Sequence, residues 1–76
     1  MWQNGKKITA LWTNNQNQNA WVLIGGLGWR KISTPGDSGF LSMLAVCVAA
    51  YANNRFVNFN EVGVGGNIYI TEIYSF

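Results

Sequence analysis

The sequence predicts an α+β fold: a small five-stranded antiparallel barrel or curved sheet with one buried helix between strands 3 and 4. The chain has 76 residues, which is enough for a single domain spanning 1–76. Short segments rich in β-branched and aromatic residues are separated by runs of glycine and asparagine, as is typical of strands and turns. The segment 40–52 is almost wholly apolar and has the length of a helix.

The first half of the chain predicts three strands. Segment 6–13 has Ile8, Ala10 and Trp12 at alternating positions, which predicts that they share one face of strand 1. Six consecutive side-chain amides at 14–19 indicate an exposed loop, because amides compete with the backbone for hydrogen bonds. Strand 2 is expected at 20–24 and strand 3 at 27–32, separated by a glycine-rich bend.

The second half predicts the helix and two further strands. Thr-Pro-Gly at 34–36 ends strand 3, and Asp37 or Ser38 is expected to cap a helix over 39–53. Asn53 and Asn54 favour a left-handed stop, since asparagine tolerates that conformation. Alternating residues at 56–62 predict strand 4. A glycine-rich turn at 63–67 leads to strand 5 at 68–74.

The predicted helix has no polar face, because Ser42 is its one polar residue between positions 40 and 52. A chain of this length buries only about 60% of the surface that its unfolded form exposes, so it is expected to need a partner. One cysteine forms no internal disulfide, and a chain without histidine lacks the usual zinc ligands. The sequence therefore predicts a homo-oligomer and no metal. The predicted interface comprises Leu44, Val46, Cys47, Val48 and Tyr51, although Cys47 also suits a buried core position.

Two segments of the chain resemble part of a known family. One is 42–57, which reads as an alanine-rich helix followed by a short basic turn and a strand. The other is 68–74, with its ending Glu72-Ile73-Tyr74. The likeness is to the back half of the pentameric B subunits of AB-type bacterial toxins, nearest to subtilase cytotoxin and its pertussis-like relatives. This resemblance implies an oligonucleotide/oligosaccharide-binding (OB) barrel, a ring with pentamers favoured, and glycan recognition. Segment 1–19 contains no targeting signal, so a secreted mature form and a cytoplasmic protein both stay open.

The candidate ligand contacts combine tryptophans with the amide loop. An indole face stacks on sugar C–H groups, and amides bind hydroxyls in fixed directions. The same tryptophans also suit a core, and aromatic residues with cations suit single-stranded nucleic acid, for which five basic residues are few. A structural or adaptor oligomer without a small ligand is a third alternative. The predicted ligand-binding residues are Trp12, Asn15, Asn17, Trp29 and Arg30.

The sequence predicts neither catalysis nor a cofactor. Gly-Asp-Ser-Gly at 36–39 matches the nucleophile segment of chymotrypsin-type proteases, but a serine nucleophile needs a base and the chain has no histidine. Glu61 and Glu72 are expected on solvent-facing strands or paired with Arg30, Lys31 or Arg55 across a subunit boundary. The apolar run at 40–52 is shorter than the roughly 20 residues that span a bilayer, so no membrane span is predicted.

Overall fold

A computed structural model describes residues 1–32 and 38–76, which form a closed five-stranded barrel with one helix between the third and fourth strands. The predicted OB-like α+β fold is confirmed. Asp37, one of the two predicted helix caps, lies outside the described residues. The elements are β1 (Trp2–Thr13), β2 (Ala20–Ile24), β3 (Gly28–Ile32), α1 (Phe40–Ala52), β4 (Phe56–Val64) and β5 (Asn67–Ser75).

The strands follow the order β1-β2-β3-β5-β4, and β4 pairs with β1 to close the barrel. Every pair is antiparallel except β3 and β5, which are parallel at Lys31–Tyr69 and Ile32–Ile70. The prediction of a wholly antiparallel sheet is therefore wrong at this pair. Five strands in a ring cannot alternate in direction throughout, so closure requires at least one parallel neighbour.

β1 begins four residues earlier than predicted, at Trp2 instead of residue 6. Gly5 has a left-handed φ of 62°, and the register with β4 shifts between Gln3 and Lys6. A glycine adopts this conformation at little cost and allows an irregularity inside a strand. The strand therefore begins before the residue at which the alternation predicts its start, and its first half pairs with β4.

A second register shift in β1, between Ile8 and Ala10, changes which residues share a face. Ile8 is buried inside the barrel, whereas Trp12 is 46% exposed on its outside. The prediction that Ile8, Ala10 and Trp12 lie on one face is wrong, because one irregular residue reverses the alternation of everything after it.

The barrel interior is filled by alternate residues of the strands, and one side of α1 packs against it. Phe40, Cys47 and Ala50 are the buried residues of the helix. The largest fully buried side chains of the strands each contribute roughly 1.5–3 kcal/mol to the stability of the fold. They are Val22, Ile24, Ile32, Val57, Phe59 and Ile70.

The C-terminal end of the helix has the predicted left-handed asparagine, whereas the N-terminal end differs from the prediction. Asn54 has a φ of 54°, and the backbone N–H groups of Asn54 and Arg55 donate to the carbonyls of Tyr51 and Ala50, which is the Schellman arrangement. At the other end, Gly39 is the N-cap, and no side chain among the described residues caps the helix. The predicted capping role of Ser38 is therefore wrong. Glycine is accepted at this position without a side-chain bond.

The helix is buried on one side only. Leu41, Val48 and Tyr51 are exposed, and Leu44 and Val46 are half-buried. Cys47, which was predicted at an oligomer interface, faces the barrel of its own chain and has no exposed surface. That prediction is wrong, because residue 47 lies on the same side as Phe40 and Ala50 at the helical period. No helix among residues 1–32 and 38–76 is long and apolar enough to cross a membrane.

The burial of Cys47 predicts a protected thiol. Desolvation raises the pKa of the Cys47 thiol from 9.0 to about 12, so the thiolate that reacts with disulfide reagents is scarce in the folded protein. At mildly alkaline pH, we expect a disulfide chromophore reagent to label the native protein at least about a hundredfold more slowly than the urea-unfolded chain. Equal rates would place Cys47 on the surface.

Candidate ligand-binding pocket

Three tryptophans on neighbouring strands line an open pocket on the outside of the barrel. Trp12 of β1, Trp21 of β2 and Trp29 of β3 enclose about 400 Å³. Trp12 and Trp21 are direct cross-strand partners, and Trp29 pairs with Leu23, which lies two residues beyond Trp21 on the same face. Trp12 and Trp29 are 46% and 45% exposed, so their ring surfaces are open to a ligand.

One cation borders this pocket. The ammonium of Lys31 lies 5.8 Å from the ring centroid of Trp21 and 5.9 Å from that of Tyr69. The register brings them together, since Lys31 pairs with Trp21 on β2 and with Tyr69 on β5. Contacts of this kind contribute about 0.5–1 kcal/mol at exposed sites. Lys31 is therefore positioned beside the indoles and adds a hydrogen-bond donor to the rim.

The amide loop at 14–19 is fixed next to the pocket by its own side chains. The Asn14 side-chain oxygen accepts from the backbone N–H of Gln16 at 3.0 Å, and the Asn19 amide donates to the Gln16 side-chain oxygen at 2.9 Å. The Trp21 indole N–H donates to Asn19 Oδ1 at 3.1 Å, which ties the loop to the pocket wall. Asn15 and Asn17 remain exposed on this ordered loop.

The structure brings most of the predicted ligand-binding residues together. Trp12 and Trp29 line the pocket, and the loop that carries Asn15 and Asn17 joins the two strands of Trp12 and Trp21. Trp21 was not among the predicted contacts. The sequence position of Trp21 indicates that it faces the same side as Trp12. The two residues are equally distant from the ends of the loop, and a hairpin places such residues opposite each other on one face.

Arg30 does not belong to the pocket. It is 8% exposed, and its Nε lies 3.3 Å from Glu61 Oε1, with both side chains about nine-tenths buried. Its Nη1 donates to the carbonyls of Leu27 and Trp29. Because side chains alternate along a strand, the outward position of Trp29 turns Arg30 inward, opposite Val22. The prediction of Arg30 as a ligand contact is therefore corrected. The expectation that Glu61 pairs across a subunit boundary is corrected as well, since its partner Arg30 lies in the same chain.

The two glutamates lie in different environments. Glu61 is held by Arg30 on the inside of the barrel, whereas Glu72 is exposed and its Oε1 accepts a hydrogen bond from the Asn60 amide at 3.0 Å. Glycoside hydrolysis needs two carboxyl groups that flank one bond in a shared cleft. In the part of the chain that the structure describes, no group of three metal-ligating side chains is present.

A second group of aromatic residues lies elsewhere on the barrel and is called here the β4–β5 aromatic cluster. It consists of Trp2, Phe56, Tyr74 and Phe76, with ring centroids 6.2–6.3 Å apart between neighbours. The Lys7 ammonium lies 4.5 Å from the Phe56 centroid and also donates to the carbonyl and side-chain oxygens of Asn54. These rings contact each other, whereas the three pocket tryptophans surround a cavity.

The chain matches no protein-family model, and a search of curated proteins found no significant match.

The Arg30–Glu61 pair predicts a large effect on stability. Removing one partner leaves the other charge buried without compensation, so we expect Glu61→Ala to lower the free energy of unfolding by about 3 kcal/mol in urea titrations. The double variant Arg30→Met/Glu61→Leu should recover most of this loss. Glu72→Ala is the matched control, and as an exposed change it should stay within about 0.5 kcal/mol. Equal effects at positions 61 and 72 would show that the pair is not formed in solution.

Proposed function

We propose that the protein is a non-catalytic glycan-binding module and that the pocket of Trp12, Trp21 and Trp29 is its ligand site. The supporting observation is that three partly exposed indoles surround one open cavity beside an ordered loop of amides. Indole faces stack on the C–H faces of sugars, and the exposed amides of Asn15 and Asn17 suit sugar hydroxyls. The resemblance to toxin B subunits points to the same ligand class.

The charge around the pocket favours a neutral ligand over single-stranded nucleic acid. Arg30 is neutralised by Glu61, which leaves Lys31 as the cation in contact with the pocket within the described residues. Lys7 is directed to Phe56 and Asn54 on another part of the barrel. Nucleic-acid sites combine stacking with several cations along the backbone path, and this surface has one. Nucleic acid therefore remains the second candidate.

The test is glycan binding with matched tryptophan variants. We expect a glycan array to identify ligands, and Trp29→Ala or Trp21→Ala to weaken binding of a monovalent ligand about tenfold or more, because a stacking surface is lost. Binding is measured by calorimetry. The control is Trp2→Ala in the β4–β5 aromatic cluster, since Trp2 and Trp29 are almost equally exposed, at 46% and 45%.

Two outcomes would contradict the glycan proposal. One is the absence of binding across the array, and the other is an equal loss for Trp29→Ala and Trp2→Ala. Binding to single-stranded oligonucleotides that falls steeply with added salt would support the nucleic-acid alternative instead. If neither ligand binds, a structural or adaptor oligomer is the remaining candidate.

We also propose that the module assembles into a homo-oligomeric ring through the outer side of α1. Leu41 is 74% exposed and Val48 and Tyr51 are each 46% exposed, with the small residues Ala45 and Ala49 between them. Contiguous apolar surface of this kind marks protein interaction sites. The toxin resemblance favours five subunits. Val46 and Leu44 are half-buried at the flanks of the same helix, where a neighbouring subunit would cover the rest of their surface.

Light scattering tests the assembly. We expect a mass that is a multiple of 8.4 kDa, and we expect Val48→Asp to shift it to the monomer, because a carboxylate at an apolar interface is costly to desolvate. Val64→Asp is the control, an equivalent change at an exposed valine near the end of β4. A wild-type protein with a mass of 8.4 kDa would contradict the ring.

A further inference from the structure

A second cavity adjoins the tryptophan pocket and is called here the flank groove. It encloses about 190 Å³ between α1 and the β1–β2 hairpin. Trp12 and Trp21 line both cavities, so the two lie next to each other along this pair of indoles. The remaining walls of the groove are Leu11, Thr13, Leu44 and Val48.

The lining of the flank groove suits an apolar occupant. Five of its six walls are aliphatic or indole surface from β1, β2 and α1, and two of its polar groups already have partners within the protein. The Thr13 hydroxyl donates to the carbonyl of Asn19 at 2.8 Å, and the Trp21 indole N–H donates to Asn19 Oδ1 at 3.1 Å. A hydroxyl-rich group placed here would lose water without gaining a donor from either of these two groups, whereas an alkyl or aryl group has no hydrogen bonds to lose.

We propose that the ligand is a glycoside with an apolar aglycone, whose sugar stacks in the tryptophan pocket while its aglycone fills the flank groove. This inference rests on the proposed glycan-binding function and adds the chemical class of the reducing-end substituent. A cavity of about 150 Å³ accommodates benzene, so the groove is large enough for a group of about six carbons. Trp12 and Trp21 would then contact both parts of one ligand.

The groove and the proposed oligomer interface share Leu44 and Val48 and differ at Leu41. Leu44 and Val48 are four residues apart and form one row that faces β1 and β2. Leu41 is exposed and is not among the groove walls. Val48 lies at the border of the two surfaces, and the experiment therefore compares Val48 with Leu41.

The experiment measures binding of methyl, butyl, hexyl and octyl β-glucosides and β-galactosides below their micelle concentrations, by calorimetry and tryptophan fluorescence. Full burial of a methylene strengthens binding about fourfold, so in this open groove we expect a gain of about twofold to fourfold for each carbon. The gain should continue to hexyl and level off at octyl, where the chain is longer than the groove.

Two helix variants separate the groove from other effects. In Val48→Asn, we expect the advantage of hexyl over methyl glycoside, taken as the ratio of the two affinities in the same variant, to fall at least about tenfold. Leu41→Asn makes the same kind of change outside the groove and should keep the full advantage. An equal loss in both variants would overturn the groove proposal, because it would indicate non-specific adsorption or an effect of assembly.

The failure of this inference is distinguishable from that of the proposed function. If methyl glycosides bind and affinity does not depend on chain length, the groove proposal is overturned and glycan recognition stands. If no glycoside of the series binds and the array is also empty, the proposed function fails and this inference fails with it.

Discussion

The structure depends on the closure of the barrel by β1. This strand pairs with β4 along its first half and with β2 along its second, so a single element joins both sides of the sheet. Irregularities at Gly5 and between Ile8 and Ala10 allow it to do so, because an extra residue bends a strand and reverses its alternation. The second irregularity also decides that Trp12 faces outward.

The alternation of strands then divides neighbouring residues between two environments. On β3, Trp29 faces the outer pocket, whereas Arg30 faces the interior and pairs with Glu61. The ion pair uses one of the chain's five basic groups and one of its three acids inside the protein. The outer surface at the tryptophans is therefore apolar and nearly neutral. This separation supports the proposal of a neutral ligand over a phosphate backbone at the tryptophans.

The helix has two roles in this arrangement. Its buried side, with Phe40, Cys47 and Ala50, completes the core that five short strands leave open. Its other sides carry no charge and are apolar apart from Ser42. One flank forms a wall of the groove beside Trp12 and Trp21, and the outermost side is available to a second chain. A helix of the same length with the same buried side and a polar outer side would complete the core equally well and would provide neither surface.

The sequence alone determined the number, type and order of the elements, because glycine, asparagine and proline mark their ends and hydrophobic periodicity reveals their type. It also identified Trp12, Trp29 and the amide loop as candidate contacts. It did not determine the parallel pairing of β3 with β5 or the burial of Arg30, and it left Cys47 open between the core and an oligomer interface. Those depend on barrel closure, strand register and packing between residues distant in the chain, such as Arg30 and Glu61, which no local pattern records.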